Sequence, residues 1–521
     1  MKQKIISTTI MFVCILLFIT FFQNVFGAST KIIGITVLII GLGISEKDLT
    51  QNLGLLVIKL ICFLLVMGIS SYLSLLNPYL GLFLNFSFIF YATYVNVERH
   101  KKPYHFPFIL GYLFLIFLSP STPEALPSRL IALIGGAFCI VGVQLYFNRN
   151  TYDKMLNSRL DKVCNQLIHR LERILARDVS EHEEEVDTLK ASMGRFMKVV
   201  YDRFSFNGQL TKGGVGRITQ MVTYEKMYYL LDDVAKDYEA GLISEETIEE
   251  LLTFVKDQKQ GNPSELDLEM FEQGATSIRP FKQIITVLKA IQDDKYPIEK
   301  RGILRLLKPI DVESYAFKFA MRLAILLAGS LFVIQLFDLS YGRWLCFTLA
   351  ALVQPDIETS QQKTVQRLIG TGVGVLVFSI LILIFKEDSQ RALIVLVFSY
   401  IGMYINRYDV KVSFVTVQAL GGAILTAPGT VIVGNRIFYI VLGALIAYLG
   451  NMWLFPIRRK EIKEHYVELY EQQKQQLITN PSVHPHEVII NAYHFLEMGE
   501  LEDTKYFDWL DVSFEALIQV K

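Results

Sequence analysis

The apolar residues of this chain fall into two blocks, roughly Ile5 to Phe147 and Tyr315 to Phe455, with a long charged segment between them. That segregation leaves few folds open, because a stretch long enough to cross a bilayer must satisfy its own backbone hydrogen bonds there, as helices or as a closed barrel. Hydrophobic residues make up 52% of the 521 positions and charged residues 20%, and the charges concentrate from Asn148 to Glu313 and from Arg458 to Lys521. The two blocks are thus left for the membrane. With 51 Lys+Arg against 51 Asp+Glu, net charge gives no reason to expect nucleic acid as a partner.

The second block reads as a copy of the first. Arg129 opens the apolar run to Phe138, and Arg436 opens a matching run to Leu445, so that Gly136 falls on Gly443 and Ala137 on Ala444. Tyr94-Val95-Asn96 answers to Tyr404-Ile405-Asn406. Duplicated hydrophobic units are the usual architecture of secondary transporters, whose pathway forms where the repeats meet. Reading crossing helices at about 17–25 residues, the first block gives Ile5–Phe26, Lys31–Gly43, Leu53–Leu75, Tyr79–Val97, Phe106–Leu118 and Arg129–Phe147. The second gives Ala316–Phe337, Arg343–Val353, Leu368–Phe385, Ala392–Ile405, Val412–Thr426 and Val431–Phe455, with the second and fifth helix of each block short.

The expected fold is an all-α integral membrane protein. A first block of about six helices spans 1–147, a helical cytosolic domain 148–313, a second block 314–456 and a cytosolic helical tail 457–521. Orientation follows from the cations, since positive loops stay in the cytoplasm. With both termini and the central segment inside, the cytoplasmic segments carry Lys2, Lys4, Lys47, Arg99, Lys101, Lys102, Lys363, Arg367, Arg407, Lys411, Arg458, Arg459 and Lys460. Lys31 and Arg343 go against the rule and are outnumbered. The run that ends at Gly27-Ala28-Ser29 is expected to stay as the first helix rather than to be cleaved, because losing it would break the repeat. Cys14, Cys62, Cys139, Cys164 and Cys346 show no paired spacing and read as core residues. Lys212 to Gly216 lacks the ending of a phosphate-binding loop, and neither His182 nor His484-Pro485-His486 has metal-ligand spacing. No cofactor and no enzymatic activity is expected.

In layout the chain resembles the fusaric acid resistance and aromatic acid exporter superfamily: six helices, a cytosolic insert, six helices and a tail. The most specific stretch is Trp344 to Phe378, where Trp344, Gln354-Pro355, Thr364, Arg367, Gly370, Thr371 and Gly374 are similar to the superfamily's second-block signature. The resemblance implies an inner or plasma membrane exporter of small organic anions, driven by the proton gradient.

Ionisable groups inside a membrane are costly and so mark candidate sites. Lys59 either binds a carboxylate in transit or snorkels to the interface. Lys318 and Arg322 share a helix face, with Arg322 one turn deeper and the better pathway candidate. Asp356 and Glu358 are expected to pair with Arg367 across a turn, as a coupling carboxylate or as a plain loop salt bridge. Gly370, Gly372 and Gly374 read as a helix-packing stripe. Gly421-Gly422-Ala423 is a place where a short helix can break. Gln418 and Asn451 are polar groups for a ligand or for interhelical hydrogen bonds, and Arg129 and Arg436 are outer-mouth candidates, Arg129 pairing with Glu124 or with lipid phosphate. The expected partners are membrane lipids and small organic anions, with no nucleic acid, and a homo-oligomer is left open. A proton-coupled exporter leads. A passive anion channel and a membrane scaffold or envelope-assembly factor are the alternatives.

Overall fold

The computed structural model describes residues 2–44, 53–97, 104–148, 151–177, 183–207, 212–260, 278–292, 310–385, 387–423, 429–480 and 485–519. Lys47, Arg99, Lys101, Lys102, His182, Lys386, Thr426 and His484 lie outside them. The helices are α1 (Lys2–Phe26), α2 (Lys31–Ile44), α3 (Leu53–Leu76), α4 (Pro78–Val97), α5 (His105–Phe117), α6 (Leu126–Asn148), α7 (Thr151–Leu175), α8 (Glu183–Asn207), α9 (Lys212–Glu239) and α10 (Glu245–Gln260). They continue as α11 (Ile278–Gln292), α12 (Tyr315–Leu336), α13 (Arg343–Leu352), α14 (Ile357–Ile384), α15 (Asp388–Gly402), α16 (Tyr408–Ala423), α17 (Gly429–Trp453), α18 (Arg459–Thr479), α19 (Pro485–Met498) and α20 (Asp503–Gln519). The chain forms two units: Met1–Glu46, Asn52–Leu145 and Lys308–Arg459 make one, and Lys47–Gln51, Tyr146–Leu307 and Lys460–Lys521 the other.

The first unit holds α1–α6 and α12–α17. Seven of these helices, α1, α3, α4, α6, α12, α14 and α17, are long and apolar enough to cross a membrane, which makes this a multi-pass membrane protein. α2, α5, α13, α15 and α16 are shorter. The shortest, α13, has 10 residues, about 15 Å at 1.5 Å per residue. It stops where Pro355 cannot continue it, and the backbone N–H of Val353 closes its last turn on Leu349.

One boundary differs from the sequence expectation in a way that matters. The apolar run predicts the ninth helix from Leu368; α14 instead starts at Ile357. Asp356 caps it, its carboxylate accepting the N–H of Thr359 at 2.7 Å, and no helix breaker follows until the apolar run begins. Lys363 and Arg367 are therefore helical residues, not loop cations.

Small residues set the close approaches. A side chain at Gly136 of α6 would meet Val37 of α2 at 2.3 Å, and one at Gly443 of α17 would meet Thr348 of α13 at 2.9 Å. The fourth and fifth helices pack together in both blocks, α4 on α5 and α15 on α16, but α3 packs mainly on α4 whereas α14 packs mainly on α16, and α4 lies along α12. Cys14 and Cys62 face outward rather than into the core, and all five cysteines are free.

In the second unit α7–α11 and α18–α20 share one core, with Leu167, Phe196, Met221, Leu251 and Phe281 alongside Tyr470, Ile489 and Trp509. Lys212 to Gly216 forms the first turn of α9 rather than a loop.

Candidate anion site in the second membrane block

The site grows from the register of α14. Lys363, Arg367 and Thr371 recur every fourth residue and share a face. On the adjoining face, Gly370 and Gly374 let α16 come close: an added Cβ would lie 2.3 Å from the Asp409 carbonyl oxygen at the first and 2.6 Å from that of Ser413 at the second. Gly372 meets nothing within 4 Å and takes no part.

Against this stand Arg436 from α17 and Trp344 from α13. Arg436 is 4% exposed, its guanidinium carbon lies 4.3 Å from the centroid of the Trp344 ring, and Nη2 donates to Thr416 Oγ1 at 3.2 Å. Its Nε and Nη1 are buried without a partner. Arg367 donates to Tyr408 Oη at 3.4 Å and leaves its own Nε unpartnered, and the two guanidiniums are near enough to repel one another. Lys363 donates to Gln354 Oε1 at 2.8 Å and lies 6.0 Å from the Tyr408 ring centroid. Trp344 Nε1 and Thr371 Oγ1 are also buried and unpartnered. The hydrogen-bond and ring partners of these three cations are neutral, a hydroxyl, an amide oxygen or a ring face, while the charge of Asp356 acts on Lys363. Buried polar groups in folded proteins normally find partners, so the donors left over on Arg436, Arg367 and Trp344 mark a candidate place for an anion.

The other candidates have different surroundings. Arg322 is fully buried, but Nη2 donates to the carbonyls of Gln354 and Pro355, both at 2.7 Å, and Nη1 to that of Phe455 at 3.2 Å. It closes the ends of α13 and α17. Phe455 sits at φ 50°, costly for a bulky residue, and the N–H of Ile357 binds the Ile457 carbonyl at 3.1 Å beside it. Lys318, one turn away, is exposed, so the two do not act as a pair. Asp356 and Glu358 do not pair with Arg367. Asp356 caps α14, and Glu358 accepts the N–H of Arg459 at 3.1 Å.

Asn451 Nδ2 meets Ser360 Oγ at 2.5 Å, and Ser360 in turn donates to the Leu352 carbonyl at 2.7 Å. Gln144, which falls on Asn451 in the repeat register, donates to the Ile44 carbonyl at 2.9 Å. Gln418 donates to the Phe398 carbonyl at 3.0 Å. α16 runs unbroken through Gly421 and Gly422. Arg129 donates to Ser71 Oγ at 2.7 Å and to the Ser119 and Leu115 carbonyls at 3.2 and 3.3 Å, closing the end of α5. Glu124 is not its partner; hydrogen bonds from its own backbone and from Thr122 hold that carboxyl below the usual range. Lys59 is half-buried on α3.

Sequence reasoning passed over Tyr408, Thr416 and His105. The last is 2% exposed, its ring 5.1 Å from Phe319, and neither ring nitrogen has a partner. The four-residue spacing from Lys363 to Thr371 was visible in the sequence but counts only once the helix is known to begin at Ile357.

Residues 327–450 match the family described as fusaric acid resistance protein-like. An uncharacterized protein of Neisseria gonorrhoeae is 26% identical over 151 residues, 28% of this chain and 36% of that protein. An uncharacterized protein of Haemophilus influenzae is 24% identical over 197 residues, 37% of this chain and 26% of that protein. The inner membrane protein YccS of Escherichia coli is 26% identical over 156 residues, 29% of this chain and 22% of that protein. The matches thus span about a third or less of these relatives' lengths. No solved structure matches the chain.

Proposed function

Given a multi-pass membrane protein whose second block is a fusaric acid resistance-like domain, we propose that it is a secondary transporter that exports small organic anions, aromatic carboxylates first among them. It acts by passage rather than by covalent chemistry. Arg436 carries the reading: a buried cation on a membrane helix, two of its nitrogens unpartnered, lying over an indole ring and within electrostatic reach of Arg367. A carboxylate seated there takes the free donors and relieves the repulsion between Arg436 and Arg367, and Trp344 offers a ring to an aromatic one. Lys363, Arg367 and Arg436 form a stepped track along which an anion is handed on.

In this reading the two blocks are repeats that rock against each other, the termini and the α7–α11 insert are cytosolic, and the proton gradient drives export. Gly136 with Gly443, and Gln144 with Asn451, support the duplication, since each pair sits at the same place in its block's last helix and serves the second helix of that block. A passive anion channel is the second reading. One observation favours it: among the described residues of the membrane unit no Asp or Glu is buried, so a coupling proton travels on His105 or on the substrate itself.

Uptake of labelled hydroxybenzoate into inverted vesicles, with and without an imposed proton gradient, separates these readings. Gradient-dependent accumulation that falls at least tenfold in Arg436→Gln supports the transporter. Flux that needs Arg436 but ignores the gradient supports the channel. Absence of flux for every organic acid tried would leave a scaffold role and remove the transport reading.

A further inference from the structure

Glu225 lies outside the membrane unit. It is a carboxylate on α9, 0% exposed, in the core that α9 shares with α8, α19 and α20. One oxygen, Oε1, accepts the Tyr506 hydroxyl of α20; the other, Oε2, is buried without a partner. The titratable groups around it are Lys190 from α8, Tyr229 on its own helix, Tyr493 from α19 and Tyr506 from α20. Lys190 is drawn away from it. Its ammonium lies 3.3 Å from Asp503 and 4.9 Å from the Phe507 ring centroid. α7 and α11 also pack on α9, and neither sets a charged group that acts on Glu225 among the described residues.

We propose that Glu225 is a proton-operated latch: the C-terminal helices α19 and α20 dock on α8 and α9 when its carboxyl is protonated, and their hold weakens when it ionises. A buried carboxylate with one hydrogen bond has lost most of its hydration, whereas the neutral acid in the same place has little to lose. Burial accordingly pushes the group up from 4.5 to about 8, against smaller opposing effects of Tyr506 and Lys190.

The sign follows from linkage. The docked state holds the proton more tightly than an open state in which the carboxyl meets water. Docking is therefore strongest below about 4.5, weakens as pH rises, and levels off above about 8. α20 is also held by ion pairs, Lys190 with Asp503, Lys226 with Asp511, Lys474 with Asp508 and Lys505 with Glu471, and by the Trp509 indole donating to the Ile489 carbonyl. His486 on α19, bonded to Thr219, is pushed down to about 4 by burial and stays neutral. The latch stands whether or not the protein transports anions.

The test is hydrogen exchange of the α20 amides in the full chain in detergent, corrected for intrinsic rates, at pH 6, 7 and 8. The opening equilibrium of α20 is expected to rise about 50-fold from pH 6 to pH 8 in the native chain. In Glu225→Gln, which mimics the protonated acid at nearly the same size, it stays flat. Tyr506→Phe removes the donor that favours the ionised form and moves the transition to higher pH, a second readout should the glutamine variant fold poorly. A flat profile in the native chain, or a slope retained in Glu225→Gln, overturns the latch.

Discussion

Arg322 and Arg436 are both buried guanidiniums on membrane helices, and their neighbours give them opposite duties. Arg322 ties three carbonyls, so Arg322→Gln leaves charge-assisted bonds unmade and costs about 1–3 kcal/mol, read as a lower melting temperature in detergent. Arg436→Gln removes a cation without a counter-ion; its melting temperature stays close to that of the native chain while anion flux falls. The partners of Arg322 were not readable from the sequence, because those carbonyls lie 32, 33 and 133 residues away along the chain. Asp356 is the converse. Its cap is local chemistry, legible from an acid after a proline and before an unbroken run, yet the expected pairing with Arg367 drew the reading elsewhere. Since Asn caps a helix about as well as Asp, Asp356→Asn leaves flux and its pH profile as they are; a changed profile would return the coupling role to Asp356.

Among the elements, α14 shows what a pattern of small residues can and cannot tell. Glycine at every second position is plain in the sequence, but helical geometry permits only Gly370 and Gly374 to face α16 together. Gly370→Ala is expected to press against the Asp409 carbonyl and Val412, costing about 1–3 kcal/mol and displacing α16 with Tyr408 and Thr416 from the anion site. Gly372→Ala meets open space and is neutral or stabilising by up to about 1 kcal/mol. Paired melting and flux measurements on the two variants check this. The element order of the membrane unit was readable because each helix carries an apolar run, although α14 begins eleven residues before its own. The pairing of those helices was not, since an apolar face does not name its neighbour.

Across the whole molecule, the charged insert and the tail are one folded unit although 152 residues, 308–459, separate them in sequence. Both segments read as helical from the sequence, whereas the particular contacts of the core they share are encoded by no local pattern. Deleting 460–521 strips Tyr470, Ile489, Trp509 and Leu517 from that core, and the shortened chain is expected to aggregate rather than fold with an intact insert. Size-exclusion chromatography in detergent would show it. The three tryptophans also fall in unlike surroundings: Trp344 under a guanidinium, Trp453 74% exposed at the end of α17, and Trp509 sealed beneath α19. With Trp453 and Trp509 replaced by phenylalanine, the remaining indole becomes an optical gauge of its own cation, and any anion that shifts Arg436 alters its emission before a single molecule has crossed the bilayer.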